Sequence, residues 1–250
     1  MYIAFIMEDE NKVAAKSPGD LPDSPYRISA AKMTFMSICR FLAFPLVDIF
    51  FKVLNRSSAI GVENLPKEGG ALIACNHISW VDTLIVPVFS AKRMSIEPFL
   101  APGKEELFRI PIVRTIISVW GSFPVRRGKR DFDSMRRISY YTANYRVMIF
   151  PEGTRSKTGE LLKGRAGVGW IIYHARPVVI PTLVINTERY FRLGGPRPWF
   201  FVPYKVVFGK PLDLSRFYAL DDSKETSQAI ADEIMAAIAA LKEEHKGEYI

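Results

Sequence analysis

Gly70-Ala71-Leu72-Ile73-Ala74-Cys75-Asn76-His77-Ile78-Ser79-Trp80-Val81-Asp82-Thr83-Leu84-Ile85-Val86 holds two apolar runs separated by a polar turn. The first run, bounded by Gly70 and that turn, reads as a buried strand ending at His77. The second reads as a helix start, with Ser79 as N-cap and Asp82 three residues on. His77 then lies on a strand-to-helix turn, open to a cleft. Within one helix, residues five apart point roughly 140° away from each other. His77 and Asp82 therefore meet only if the first lies in the turn and the second leans back from the first helical turn. Such a pair fixes the imidazole tautomer and stabilises its protonated form, as a general base requires. The same residues also fit a structural histidine beside a capping carboxylate.

Outward from this stretch the pattern is α/β. Strands are expected near 60–63, 71–76, 94–100, 119–126, 146–150, 178–186 and 203–208, and helices at 81–91, 104–117, 131–144, 164–175 and 222–244. This alternation implies a mixed, largely parallel sheet flanked by helices, in one domain over 59–220. The last segment, 221–250, carries Ile230, Ile234, Ile238 and Leu241 on one helical face, a stripe for packing on that domain.

Residues 1–26 read as a flexible polar leader, with Ser17-Pro18-Gly19-Asp20 and Pro22-Asp23-Ser24-Pro25. Met1–Met7 is too short for a signal-peptide core and is followed by Glu8-Asp9-Glu10, so no secretory signal is expected. The segment 27–58 is rich in Phe, Leu, Ile and Met, but Arg40, Asp48 and Lys52 interrupt it and Pro45 should kink or break it. It never offers the ~20 nearly uncharged residues of a spanning helix. Two short helices in the membrane interface fit, with Arg27, Lys32, Arg40, Lys52 and Arg56 toward headgroups. An ordinary helical hairpin over the core is the other reading.

A net charge of +8 points to an anionic partner: nucleic acid, an anionic membrane or a phosphorylated substrate. Cys39 and Cys75 lack C-x-x-C spacing, and His174 and His245 lack ligand-spaced companions, so neither a disulfide framework nor a metal centre is expected. Phe150-Pro151-Glu152-Gly153-Thr154-Arg155-Ser156 follows the strand Arg146–Ile149, at the kind of strand edge where open α/β sheets bind ligands. Arg155 offers a planar fork for phosphate, which Glu152 would hold in place unless it accepts from a hydroxyl. Alone, this heptad also fits a surface turn. Gly121-Ser122-Phe123-Pro124-Val125-Arg126-Arg127 and Lys104-Glu105-Glu106-Leu107 add cations at strand and helix ends. No G-x-x-x-x-G-K-[ST] occurs, and the cations are not interleaved with stacking aromatics, which speaks against nucleotide and nucleic-acid binding.

Together these blocks resemble the glycerolipid acyltransferases, and within them the 1-acyl-sn-glycerol-3-phosphate acyltransferases. Asn76 to Asp82 is similar to their N-H-x-S-W-x-D form of H-x4-D, and Phe150 to Ser156 to F-P-E-G-T-R-S. Gly121–Arg127 resembles G-x-F-P-V-R-R, Lys104 to Pro111 resembles K-x-E-L-x-x-x-P, and Val179-Ile180-Pro181 the late apolar-Pro motif. Gly61-Val62-Glu63-Asn64-Leu65-Pro66 resembles the lead-in, so Ile60 to Leu212 is covered in order.

The resemblance implies an acyltransferase fold behind a membrane-docking helical pair. It implies transfer of a fatty acyl group from acyl-CoA or acyl-carrier protein to the sn-2 hydroxyl of lysophosphatidic acid, giving phosphatidic acid. His77 would be the general base and Asp82 its orienting partner. Glu152, Gly153, Thr154 and Arg155 would hold the glycerol phosphate, helped by Arg127 and Lys104. No metal or bound cofactor is implied, and the location would be the cytoplasmic face of a bacterial inner membrane. Alternatives are glycerol-3-phosphate or another lysolipid as acceptor, a thioesterase using the same histidine, and a non-catalytic lipid-binding peripheral protein. Cys75, two residues before His77 on the same side of a strand, is a candidate acyl carrier, against a plain role as a small buried residue.

Overall fold

A computed structural model describes residues 24–91, 99–126, 131–187 and 202–248. Most of the expected leader, residues 94–98 of one expected strand, and Arg127 lie outside the described residues.

Among the described residues, seven strands form one sheet: β1 (Ser58–Ile60), β2 (Ala71–Cys75), β3 (Phe99–Lys104), β4 (Ser122–Val125), β5 (Arg146–Ile149), β6 (Val178–Ile185) and β7 (Lys205–Phe208). Their order is β1-β7-β6-β2-β5-β3-β4. The pairs from β6 to β4 are parallel, β6–β7 is antiparallel and β1–β7 parallel. The sheet is therefore mixed and largely parallel, as its sequence pattern implies. β2 is buried along its whole length, which is why it reads as a continuous apolar run.

Side-chain alternation sends the two faces of the sheet into two cores. Leu72, Ala74, Val147 and Val179 join Ile138 and Tyr141 of α4 (Phe132–Asn144) and Val168 and Ile172 of α5 (Ala166–Ala175). Ala71, Ile73, Cys75, Met148 and Ile180 meet Ile85, Val86 and Phe89 of α2 (Asp82–Ser90), together with Phe51. A short helix, α6 (Ser215–Tyr218), leads to α7 (Lys224–Glu244). In α7 the stripe Ile230, Ile234 and Ile238 is fully buried, and Leu241 packs at its edge. Each such isoleucine contributes about 1.5–3 kcal/mol, which identifies the stripe as a packing face. It lies mainly against α5, and also against β6.

At the N-terminus, α1 (Ala30–Ile49) is capped by Ser29, runs through Pro45, and ends in a π-helical turn, Phe50–Leu54. The expected break at Pro45 does not occur. Pro45 lies on the exposed face of this continuous helix, with Met36 and Arg40 buried before it and Phe51 buried beyond. Phe35, Ile38, Phe41, Leu42, Leu46, Ile49 and Val53 form an outward stripe, each between 51% and 72% exposed. Arg27, Lys32 and Arg56 are exposed as expected, but Arg40 and Lys52 are not turned toward headgroups. Arg40 is buried and donates to the carbonyls of Val119 (3.1 Å) and Phe99 (3.3 Å), and burial lowers its guanidinium to about 10. Lys52 pairs with Asp48 and lies over the Phe89 ring. Among the described residues no helix is long and apolar enough to cross a membrane.

One helix expectation needs correction. Lys104 closes β3 and leads directly into a 3-10 helix, Glu105–Arg109, but the chain is extended at Ile110 and α3 runs Pro111–Val119, so 104–117 is not one helix. Ile110 before the proline is extended, with φ −91° and ψ 111°, and proline suits the first helical position, where no N–H is needed.

Candidate active site

β2 and β5 are neighbours in parallel register, Ala74 opposite Ile149. Counting on, His77 leaves the sheet level with Glu152. Two turns far apart in sequence are thus brought side by side at the carboxyl edge of the sheet. Asn76 ends β2 by imitating a ladder rung: its side-chain amide donates to Val184 O (3.1 Å) and accepts from Val184 N–H (2.7 Å).

His77 is buried, and its Nδ1 lies 3.0 Å from Asp82 Oδ2. That oxygen also accepts the backbone N–H groups of Ile78 and Ser79, each at 2.8 Å. Ser79 Oγ in turn accepts from Val81 N–H (3.3 Å) within the turn that feeds α2, but the helix starts at Asp82 with Val81 as its N-cap and no side-chain cap bond, so Ser79 is not the N-cap that its spacing suggests. Asp82 Oδ1 is buried with no hydrogen-bond partner among the described residues. With the carboxylate accepting Nδ1–H, the lone pair of the ring sits on Nε2. The Phe150 ring stacks on the imidazole, centroids 3.7 Å apart and planes 11° from parallel.

Glu152 is buried, and its two oxygens accept the N–H groups of His77 and Leu162, both at 3.1 Å. Burial pushes its carboxyl up from the ordinary value, and these two hydrogen bonds oppose the shift. Glu152 therefore does not grip Arg155. It ties the second turn to the first, and Ser156 N–H returns the link to His77 O at 2.7 Å. Arg165 Nε donates to Glu152 O (3.1 Å), and Gly153, at φ +68°, leaves room for that side chain; a Cβ there would come within 2.8 Å of it. Gly153, Thr154 and Arg155 face outward and are exposed.

Lys104 stands at the end of β3, beyond β5 from His77, exposed and 3.5 Å from Glu106. Arg126 is exposed and donates to Glu105 at 3.1 Å. Cys75 is fully buried, and burial, reinforced by Asp82 and Glu152, pushes its thiol well up, opposite to what a nucleophilic thiolate needs. Beside the His77 turn opens an apolar pocket of about 250 Å³, lined by Leu46, Val47, Phe50, Phe51, Trp80, Val81, Leu84 and Tyr204. Among the described residues no group of three or more His, Cys, Asp or Glu is placed to hold a metal ion.

Sequence reasoning missed the inward role of Glu152, the stack of Phe150 and the clamp from Arg165. For Phe150 and Glu152, the equal positions of the two turns after neighbouring strands carry the signal. Arg165 has no local signal.

The family model for acyltransferases matches residues 56–185, just over half of the chain. The chain belongs to the acyltransferase family. The 1-acyl-sn-glycerol-3-phosphate acyltransferase of Borreliella burgdorferi is 30% identical over 135 residues, covering 52% of this chain and 52% of that protein. The chain thus spans about half the length of that relative. The Bacillus subtilis 1-acyl-sn-glycerol-3-phosphate acyltransferase is 27% identical over 186 residues, covering 72% of this chain and 85% of its own. The crystal structure of the 1-acyl-sn-glycerophosphate acyltransferase of Thermotoga maritima superposes with a TM-score of 0.58 at 22% identity, over 82% of each chain. That likeness establishes the shared fold.

Proposed function

We propose that this acyltransferase moves a fatty acyl group from a thioester, acyl-CoA or acyl-carrier protein, to the sn-2 hydroxyl of lysophosphatidic acid, yielding phosphatidic acid. The observation that carries the reading is the His77–Asp82 contact of 3.0 Å, on a turn locked to the Phe150–Ser156 turn. His77 Nε2 takes the hydroxyl proton as the oxygen attacks the thioester carbonyl, and Asp82 steadies the imidazolium. The tetrahedral adduct collapses, the C–S bond breaks, and the leaving thiolate receives that proton. Holding both substrates at this edge supplies much of the remaining acceleration.

The apolar pocket at Trp80 and Leu84 suits an alkyl chain. Arg155 and the backbone of Gly153 and Thr154 suit the acceptor's phosphate, with Lys104 and Arg127 supplementing the positive field. Glu152 serves by positioning, because its oxygens are taken by backbone N–H groups. The chemistry calls for no metal or bound cofactor. The exposed stripe of α1, with Arg27, Lys32 and Arg56 nearby, suits a membrane interface, and the cytoplasmic face is where thioester donors occur.

The test is phosphatidic acid formation from lysophosphatidic acid and each labelled thioester, beside His77→Ala. Product from wild type and loss of at least about a hundredfold in the variant are expected. Equal activity of the two proteins refutes the base assignment, and acyl release without acceptor would reveal a thioesterase.

A further inference from the structure

A second outward apolar surface lies on α3 and the turn before it. No residue of α3 is buried, and its outer face presents Ile112 and Ile116, four residues apart, at 75% and 55% exposure. A surface helix of a water-soluble domain normally turns polar side chains outward and apolar ones inward. Here Val113 and Ile117 are half-buried and the two isoleucines remain outside. Leu107 and Ile110, from the turn that precedes α3, are exposed as well. Cations border the patch: Arg109 and Arg114 are both exposed.

The position matters more than the composition. This turn follows the carboxyl end of β3, at the same sheet edge as the His77 and Arg155 turns. α3 also packs against α1, whose Arg40 donates to Val119 O at the far end of α3. Patch and active-site mouth therefore lie along one rim, continuous with the helix that carries the first stripe.

Resting on the proposed use of a lipid acceptor, we infer that Leu107, Ile110, Ile112 and Ile116 form a second docking element that inserts into an anionic phospholipid surface. The isoleucines enter the acyl boundary while Arg109 and Arg114 meet headgroup phosphates. Two contacts, one on α1 and one on α3, hold the rim against the bilayer where one alone would leave it free to roll. The lysolipid then reaches Arg155 and His77 without leaving the membrane.

The experiment is flotation of the full chain with phosphatidylcholine vesicles, with and without phosphatidylglycerol, for wild type, Ile112→Ser/Ile116→Ser and Arg114→Glu. Turnover of a short-chain lysophosphatidic acid, dissolved as monomers, is measured in parallel. The double variant should lose about tenfold or more in vesicle partition, with turnover of the dissolved acceptor unchanged. Arg114→Glu should lose the gain that phosphatidylglycerol brings. Flotation of the double variant equal to wild type overturns the inference. So does a change from dimer to monomer with vesicle binding intact, which would make the patch a self-association face. A wild type that floats but forms no phosphatidic acid would refute the proposed reaction and leave the docking result standing on its own.

Discussion

Asp82→Asn separates the carboxylate's charge from its shape. Asparagine can place its oxygen on the N–H groups of Ile78 and Ser79, which Asp82 Oδ2 accepts at 2.8 Å. Its NH2 then occupies the place of Oδ1, which is buried with no partner. Leaving that donor unsatisfied costs about 1–3 kcal/mol of stability. In the proposed reaction the loss is larger. The imidazolium that forms in the transition state no longer faces a carboxylate 3.0 Å away. A close ion pair at an effective dielectric of about 20 is worth about 4 kcal/mol. At 1.36 kcal/mol per factor of ten, that is about a thousandfold in kcat. Turning the amide round makes matters worse, because its NH2 then faces two backbone donors and the imidazole is pushed to the wrong tautomer. The assay is initial-rate phosphatidic acid formation at saturating lysophosphatidic acid, with thermal unfolding run alongside. A folded variant within tenfold of the wild-type kcat would refute the account of Asp82 as the group that stabilises the charged imidazole.

Two further outcomes follow from the packing. Gly169 on α5 faces α7 so closely that an added Cβ would lie 1.7 Å from Ser227 O. Gly169→Ala should cost about 3 kcal/mol by forcing these helices apart, read as a lower denaturant midpoint; an unchanged midpoint would show that the contact yields freely. Glu152 has its carboxyl raised by burial, so the folded chain holds that proton more tightly than the unfolded chain does. Its contribution to stability is complete below the ordinary glutamate value and is lost as pH rises through the raised one. The wild-type advantage over Glu152→Gln in thermal midpoint should therefore shrink as pH rises above the ordinary glutamate value, and an advantage that grows with pH would contradict the burial argument.

The parts of this protein legible in its sequence are those encoded locally. The β2 run, the His77–Asp82 spacing and the α7 stripe each depend on residues within one or two turns of chain, and each has its expected form. The pattern over 104–117 reads as one helix, but Pro111, whose preceding residue resists helical geometry, splits it at Ile110. Arg40 reads as a headgroup contact on an apolar helix. It is instead drawn inward by carbonyls at Val119 and Phe99, and nothing near Arg40 in sequence announces them. Glu152 failed for the same reason: its partners are set by the register of β2 on β5, a relation between segments 75 residues apart.

The Phe150–Ser156 turn alternates between two audiences. Glu152 and Ser156 look inward and close hydrogen bonds to the His77 turn, while Gly153, Thr154 and Arg155 look outward. Tolerance to substitution should divide along that line. On the proposed assignment, changes at 154 and 155 should alter which headgroup is accepted while leaving the fold intact. Changes at 152, whose side chain holds the His77 N–H, should loosen the imidazole's footing and the sheet edge together. On the proposed roles, acceptor range can thus drift under selection without disturbing the base, whereas the base cannot be retuned through Glu152 without a loss of stability.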